Sequence, residues 1–351
     1  MRKLTILLLG VGGNVSQGIL KAIRAYDFTK ENVEVHVIGA CISPESVGLY
    51  MCDQACISPY ANDPEFLDWV ITLCNGQNVD LILTGVEENI IALQQGAEEL
   101  RKRTKAVFVA SPLEMLEIGQ NKYLTCEWLR ENDCHYPRYC RLDDRDAVKE
   151  LVQSVGFPLI AKPCHGKGSG GVRFLNDKDA LQAMGTPADY VLEECVGTAA
   201  DEYTVGCYCD KNGQLVDSIV LHRRLGHGST MAAEVVDDAE VRAEAEKICK
   251  AFHPGGPLNI QMRKDKDGRA VCFELNVRFS GTTPIRAHFG YQDVAALIKE
   301  YCLGEDIKEC FKAQKGVVYR YTNEFYMKKN PEKQFVTGNE ILDMQDFGVE
   351  L

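Results

Sequence analysis

The chain has 351 residues and a formal net charge of −12, from 51 acidic and 39 basic side chains. One hydrophobic core rarely grows to this length, so the sequence predicts two or three domains. The acidic balance argues against a nucleic-acid-binding surface, which needs a basic face. No apolar run approaches the roughly 20 residues that a membrane-spanning helix requires.

Residues 1 to about 112 alternate short apolar runs with helical patterns. The runs suited to buried parallel strands are 5–9, 35–38, 81–84 and 106–109. This alternation predicts a doubly wound parallel sheet with right-handed crossovers. The charged and apolar start of the chain imitates a signal peptide, but glycines interrupt the apolar run after residue 9. A buried first strand is therefore predicted there.

A glycine-rich turn at 10–13 follows that strand and invites interpretation as a dinucleotide-binding loop. The last glycine of the full motif is replaced by Val15, and no acidic residue ends the second strand at 39–40. A tight turn is favoured over the site of a nicotinamide-dependent oxidoreductase. The loop 84–88 follows a later strand; it either lines a substrate cleft or simply begins a helix with acidic residues.

The 15 cysteines are scattered along the chain without the spacing of a zinc site. Pairs such as Cys52 and Cys56, or Cys207 and Cys209, are interpreted as buried reduced thiols rather than metal ligands. Reduced thiols are typical of the cytosol, so the sequence predicts a cytoplasmic protein.

A lysine and a glycine-rich loop follow one another around residue 165. Lys162 ends an apolar strand pattern, and four glycines lie within 166–171. Glycines allow backbone N–H groups to close on phosphate oxygens, and the lysine adds a positive charge. The Gly-Lys-Ser/Thr ending of a Walker A loop is absent. The pattern predicts a polyphosphate-binding loop, with a plain hairpin loop as the alternative.

Polar side chains alternate along a later predicted strand. Glu274, Asn276 and Arg278 are spaced two apart and therefore point to one face. Gln261 ends a neighbouring predicted strand and can supply a third oxygen ligand. Oxygen ligands beside a guanidinium suit a magnesium-bound polyphosphate. A solvent-facing polar strand is the alternative, but it does not explain the polar run 280–283 that continues the motif.

These motifs together resemble those of the ATP-grasp enzymes, most closely the synthetase halves of the carbamoyl-phosphate synthetase large subunit. They occur in family order over about residues 5–305. The resemblance implies a mixed fold, α/β followed by α+β, whose first part is the doubly wound parallel sheet. The implied domains are a pre-ATP-grasp domain at 1–115, a lid subdomain at 116–190, and a C-terminal subdomain with the metal site at 191–351.

The resemblance also implies which residues bind the nucleotide and the metal. The implied phosphate contacts are Lys122, Lys162, Gly168, Ser169, Gly170 and Gly171. The implied adenine hinge is formed by Glu193, Glu194, Cys195 and Val196, with the choice between the two glutamates left open. Glu202 would bind the ribose, and His227 would lie on the nucleotide side. The implied metal ligands are Gln261, Glu274 and Asn276.

Three residues are predicted to take part in the chemistry. Lys162 and Arg278 would stabilise the transferred phosphoryl group, and Arg286 is a candidate for holding the substrate carboxylate or phosphate. Arg223 and Arg224 are weaker candidates for the same role. An ordinary salt bridge is the alternative for each of these last three arginines.

The implied activity is that of an ATP-dependent ligase that converts a carboxylate to an acyl phosphate and passes it to an amine. The substrates would be small metabolites or amino acids, and the cofactors would be ATP with two magnesium or manganese ions. No nucleic-acid or membrane partner is expected, and the resemblance is compatible with a homodimer. The alternatives are a non-catalytic ATP-binding regulatory protein and carboxyphosphate chemistry like that of carbamoyl-phosphate synthetase.

Overall fold

The computed structural model describes residues 1–166, 168, 170–328, 330, 335, 340–344 and 349–350. The strands are β1 Arg2–Leu9, β2 Val33–Cys41, β3 Gln54–Ile57, β4 Leu81–Thr84, β5 Val107–Phe108, β6 Tyr139–Arg141, β7 Leu159–Pro163, β8 Arg173–Leu175, β9 Tyr190–Glu194, β10 Glu202–Cys209, β11 Leu215–Gly226, β12 Ser229–Val235, β13 Pro257–Lys264, β14 Ala270–Asn276, β15 Val317–Tyr319, β16 Tyr326–Met327, β17 Leu342–Asp343 and β18 Val349–Glu350.

The helices alternate with these strands in the first third of the chain and are sparser later. The α-helices are α1 Asn14–Ala25, α2 Phe66–Gln77, α3 Glu87–Gln95, α4 Ala97–Arg103, α5 Leu113–Gln120, α6 Lys122–Glu131, α7 Arg145–Val155, α8 Lys178–Met184, α9 Ala239–Phe252, α10 Thr283–His288 and α11 Asp293–Ile298. Short 3-10 turns lie at Phe28–Glu31, Val47–Met51, Ala199–Asp201 and Lys308–Cys310, and a π-helical turn lies at Lys299–Leu303.

The chain divides into two compact units. The first comprises Met1–Leu113, Arg278–Ala313 and Tyr321–Leu351, and the second comprises Glu114–Val277 and Gln314–Arg320. Residues 278–313 belong to the first unit, where α10 packs on α1: a Cβ on Gly18 would lie 2.9 Å from Cδ of Pro284. The predicted domain boundaries after residues 115 and 190 stay predictions.

The first unit is built on a six-stranded sheet in the order β17-β3-β2-β1-β4-β5. All pairs are parallel except the edge pair of β17 with β3. β1 lies in the middle, and its residues from Leu4 to Leu9 are buried, which explains its continuous apolar run. The predicted N-terminal doubly wound parallel sheet is confirmed.

The glycine-rich turn at 10–13, which follows β1, packs closely against neighbouring residues of this unit. Gly10 has a φ of +68°, and its N–H donates to the carbonyl oxygen of Ala40 on β2. A Cβ on Gly12 would lie 2.7 Å from the hydroxyl oxygen of Ser46. Both positions therefore require glycine for local packing, as expected of a tight strand-to-helix turn.

The second unit contains two antiparallel sheets. A four-stranded sheet has the order β6-β9-β7-β8, and a six-stranded sheet has the order β14-β13-β10-β11-β12-β15. The smaller sheet packs α7 and α8 over a core that includes Leu142, Leu159 and Leu192. The larger sheet is backed by α9, whose Val241, Ile248 and other apolar residues are buried. The predicted mixed α/β and α+β fold is confirmed.

The cysteines and the lengths of the helices relate to two of the expectations from the sequence. All 15 cysteines are free thiols, and 13 of them are buried. Among the helices that the structure describes, none has both the length and the apolar character of a bilayer span.

Candidate active site

A cavity of about 340 Å³ lies within the second unit. It is lined by Lys122, Ile160, Lys162, Gly166, Gly168, Val172, Phe174, Glu193, Glu194, Val196, Glu202, Leu225, Gln261, Arg263, Phe273 and Glu274. Nine of the predicted site residues are in this set, so the fold brings most of the sequence motifs to one place. A volume above about 300 Å³ is typical of a small-molecule site.

Lys162 carries the deepest positive charge in the cavity. Its Nζ lies 2.6 Å from Oε2 of Glu193, and the two side chains are 11% and 1% exposed. Burial lowers the pKa of Lys162, but the Glu193 carboxylate more than compensates, and the net pKa is raised. The ammonium therefore stays charged at neutral pH. It has three donors, so the ion pair leaves it able to contact a phosphate as well.

The two glutamates of the predicted hinge differ in their surroundings, because only Glu193 takes part in the buried ion pair with Lys162. Glu193 is committed to Lys162, and its other oxygen lies 3.9 Å from the Cys126 sulfur. Glu194 is partly exposed and lines the cavity together with Val196. Cys195 does not line this cavity but a second one, which Glu194 and Val196 also line. This arrangement favours Glu194 and the backbone around it as the adenine contacts, which stay a prediction.

Lys122 and the glycine-rich loop lie together at the wall of the cavity. Asn121 caps α6 by accepting from the N–H groups of Tyr123 and Leu124, which fixes Lys122 as the first helical residue. The Lys122 Nζ donates to the carbonyl oxygen of Gly166 at 3.1 Å. Gly168 and Gly171 have φ values of +58° and +75°, conformations that favour glycine.

The glycine-rich loop contains two further predicted phosphate contacts, Gly170 and Ser169. Gly170 lies in the same loop but does not line the cavity, and Ser169 lies outside the residues that the structure describes.

His227 belongs to the turn that touches this loop. It forms with Gly228 the two-residue connection of the β11–β12 hairpin, and both residues have positive φ. A Cβ on Gly228 would lie only 2.8 Å from the carbonyl oxygen of Gly168. The His227 ring does not line the cavity, but its turn contacts the glycine-rich loop.

Three oxygen-bearing side chains converge on β13 and β14. Oε1 of Glu274 accepts from Nε2 of Gln261 at 3.2 Å and from Nδ2 of Asn276 at 3.0 Å. Within the described part of the chain, no group of three or more His, Cys, Asp and Glu side chains has a metal-site arrangement. A carboxylate with two amide side chains is nevertheless a hard oxygen donor set, and it fits a magnesium ion that also takes phosphate oxygens.

Glu202, the predicted ribose ligand, is already paired with other side chains in the structure. Its carboxylate is buried between two arginines, Arg223 on Oε1 at 2.8 Å and Arg263 on Oε2 at 2.7 Å. Each arginine also donates through Nε, so each carboxylate oxygen accepts two hydrogen bonds. These four bonds occupy the lone pairs of the carboxylate, and the ribose role stays a prediction.

Phe273 and Arg263 are cavity residues that the sequence motifs did not indicate. The register of β13 with β14 shifts after Gln261, so Met262 pairs with Cys272 and Phe273 is the extra residue of a bulge. The bulge lets both Phe273 and Glu274 line the cavity, although they are neighbours in sequence. The Phe273 ring centroid lies 5.1 Å from the Lys162 Nζ and 5.7 Å from the Arg263 Cζ. Arg263 could have been predicted from the sequence, because it follows Gln261 by two residues on the same strand and therefore points to the same face.

The other two predicted catalytic residues lie in the first unit. Arg278 pairs with Glu87 at 2.7 Å, within the loop 84–88 that was considered as a substrate-cleft segment. The Arg286 guanidinium is 1% exposed and bonded to Asp293 and to the hydroxyls of three residues in 280–283. This burial favours a structural ion pair for Arg286, and its predicted role in substrate binding stays a prediction.

Family models match two parts of the chain. Residues 196–325 match the family described as ATP-grasp in the biosynthetic pathway with Ter operon. Residues 6–108 match the PylC-like, N-terminal domain. The predicted resemblance to ATP-grasp enzymes is confirmed.

Curated relatives include the carbamoyl phosphate synthase large chains of Brucella suis and Methanosarcina acetivorans. The first is 24% identical over 63% of this chain and 22% of the relative, and the second is 23% identical over 87% of this chain and 30% of the relative. The chain therefore spans less than a third of the length of these relatives.

Solved structures share the fold over most of the chain. The biotin carboxylase domain of Hydrogenobacter thermophilus 2-oxoglutarate carboxylase, with MgADP and bicarbonate, superposes with a TM-score of 0.67, 15% identity, and coverage of 94% of this chain and 76% of that chain. The N5-carboxyaminoimidazole synthetase of Staphylococcus aureus with ADP gives 0.63, 16% identity, and coverage of 80% and 72%.

Proposed function

Because the chain carries an ATP-grasp domain homologous to the carbamoyl phosphate synthase large chain, we propose that it is an ATP-dependent carboxylate–amine ligase. The observation that carries the proposal is the convergence of Lys162, Glu274 and Gln261 on one cavity. A buried cation and an oxygen-rich metal-binding set are what phosphoryl transfer from ATP requires.

The proposed reaction has two steps. A substrate carboxylate oxygen attacks the γ-phosphorus, the bond to the ADP oxygen breaks, and an acyl phosphate forms. The amine then attacks the acyl carbon, inorganic phosphate leaves with both electrons of the acyl–oxygen bond, and the amine loses a proton. Neither step needs a serine or cysteine nucleophile, so the protein contributes positioning and charge neutralisation.

Each group of residues at the candidate site has a proposed part in this reaction. Lys122 and Lys162 neutralise phosphate charge, and Phe174, Val172 and Leu225 supply the apolar walls against which an adenine ring can pack. Glu274, Gln261 and Asn276 would hold magnesium, which supplies Lewis-acid neutralisation of the phosphates when it is bound. Two ions, as the resemblance implies, remain part of the proposal.

The substrates and the setting are proposed more broadly. Small carboxylates, amino acids among them, are the first class to test; bicarbonate is the second, since the Hydrogenobacter neighbour contains it. The free thiols are consistent with the reducing cytoplasm. A homodimer stays a prediction, and the Hydrogenobacter domain was crystallised as a dimer.

Nucleotide-dependent thermal unfolding tests the nucleotide specificity. Mg-ATP at about 100 times its dissociation constant is expected to stabilise the folded state by about 2.7 kcal/mol, whereas NADH at the same concentration should have no effect. A shift with NADH alone would contradict the proposal. A non-catalytic ATP-binding protein would show the ATP shift but no ADP release with any pair of carboxylate and amine.

Gly228→Ala is expected to weaken ATP binding several-fold, because its Cβ would push against the Gly168 carbonyl and displace the glycine-rich loop. Gly213→Ala is the matched control, since Gly213 has a φ of +73° but its Cβ would contact His253 instead. Both variants should lose about 1 kcal/mol of stability from the positive φ. Equal ATP affinities in the two variants, measured by calorimetric titration, would show that the loop contact has no part in binding.

A further inference from the structure

A continuous line of hydrogen-bonded side chains crosses four strands of the six-stranded sheet. Glu202 on β10 lies directly opposite Arg263 on β13, and Gln261 on β13 lies opposite Glu274 on β14. Arg223 on β11 lies beside Glu202 on the other side. The hydrogen-bonded line therefore runs from the Glu202 carboxylate through Arg223 and Gln261 to Glu274, one of the predicted metal ligands.

The two arginines on Glu202 are not equivalent. Each binds one carboxylate oxygen through Nε and Nη2, with distances of 2.7–3.1 Å. The Arg223 Nη2 also donates to Oε1 of Gln261 at 2.6 Å, a hydrogen bond that the Arg263 Nη2 lacks among the described residues. Arg223 also donates to the Thr230 hydroxyl at 3.4 Å. Its side chain is 7% exposed, so Arg223 is held on three sides.

Arg223 dictates the orientation of the Gln261 amide. A guanidinium only donates hydrogen bonds and an ionised carboxylate only accepts them. With Arg223 on one side and Glu274 on the other, the amide satisfies both neighbours only when its oxygen faces Arg223 and its nitrogen faces Glu274. The opposite orientation would place donor against donor and oxygen against carboxylate. The Gln261 amide in turn orients the Glu274 carboxylate. Its oxygen has two lone pairs, so one stays available to a cation after the oxygen has accepted from Arg223.

We propose that Arg223 is a positioning residue for the metal site: it fixes Gln261 and, through it, Glu274, and so sets how strongly a divalent cation couples to the nucleotide. The inference rests on the proposed ATP-dependent function. The outer partners of metal-binding side chains typically change metal affinity about 10- to 100-fold when they are lost. Arg263 shares Glu202, but among the described residues no hydrogen bond joins its side chain to Gln261, so we expect no such effect of it.

The alternative is that both arginines only neutralise the buried Glu202. In that case the loss of either arginine would have the same consequence, because Glu202 keeps the other one. Arg223→Met and Arg263→Met are therefore a matched pair: each leaves one bidentate ion pair on Glu202, and only the first one breaks the line to Gln261.

The test compares the binding of the non-hydrolysable ATP analogue AMP-PNP with and without saturating Mn²⁺, measured by titration calorimetry on the full chain. The readout is the dissociation constant without Mn²⁺ divided by the dissociation constant with Mn²⁺. This ratio reports how strongly the metal strengthens AMP-PNP binding, separately from the affinity for the nucleotide alone. Arg223→Met is expected to lower this ratio about tenfold or more relative to the parent, and Arg263→Met to keep it. Arg223→Lys, whose single ammonium cannot bridge both partners, replaces Arg223→Met if that variant does not fold.

Two results would overturn the inference. Equal ratios in the Arg223 and Arg263 variants, whether both fall or both stay at the parent value, would show that Arg223 acts only through Glu202 or not at all. A parent chain that binds no AMP-PNP with or without Mn²⁺ would instead refute the proposed function, and the inference with it. The two failures are therefore distinguishable.

Discussion

Lys162→Met is expected to weaken nucleotide binding and to destabilise the protein at the same time. The substitution leaves the Glu193 carboxylate, 1% exposed, without its cation. Removal of one partner of a buried ion pair lowers the free energy of unfolding by about 3–5 kcal/mol. The loss of a charged hydrogen bond to a phosphate should weaken ATP binding by about tenfold or more, since such bonds contribute about 1.5–3 kcal/mol. Thermal unfolding and ATP titration measure the two effects.

A second substitution separates these two effects. In the double variant Lys162→Met with Glu193→Gln no buried charge is left unpaired, so most of the lost stability should return while ATP binding stays weak. Lys264→Met is the control, because its 2.6 Å ion pair with Asp238 is more exposed and should contribute much less. Normal ATP affinity in a stable double variant would show that Lys162 is only a structural partner of Glu193.

Glu274→Gln is expected to lower the rate of ADP release by about 100-fold or more with little change in folding. The loss of one preorganised electrostatic contact at a transferred group has about this effect. The substitution keeps the shape of the side chain, and the oxygen of the new amide can still accept hydrogen bonds from Gln261 and Asn276. A coupled assay of ADP release provides the readout, with a carboxylate and amine pair for which the parent releases ADP.

Glu234→Gln is the matched control for this prediction. Glu234 is exposed on β12 of the same sheet, and its substitution removes the same charge from the chain. Its rate should equal that of the parent. If Glu274→Gln retained the parent rate as well, Glu274 would have no part in metal binding.

Local patterns were enough to predict which polar side chains of β14 share a face, but not the full contribution of this strand to the cavity. The two-residue spacing placed Glu274 and Asn276 on one face, and the structure brings their side chains together. The bulge that adds Phe273 to the cavity depends on how β14 pairs with β13, which no periodicity within one strand encodes.

Ion-pair partners were the least predictable part of the site. The sequence pointed to Lys162 and Glu193 separately, and only the pairing of β7 with β9 brings them together. Arg286 was considered for substrate binding because it follows a polar turn. The packing of α10 and α11 instead buries it against Asp293, where burial raises the pKa of the carboxyl and Arg286 opposes that rise. Such pairs depend on tertiary packing that single-sequence patterns do not contain.

The central claim is that a carboxylate is phosphorylated by ATP before an amine is added. The most direct test supplies each candidate carboxylate labelled with oxygen-18, together with Mg-ATP and an amine, and locates the label by mass spectrometry. The account predicts ADP as the product and one oxygen-18 atom in the released phosphate. Label in AMP would show an adenylating ligase and would contradict the account, as would ADP release with no label in the phosphate.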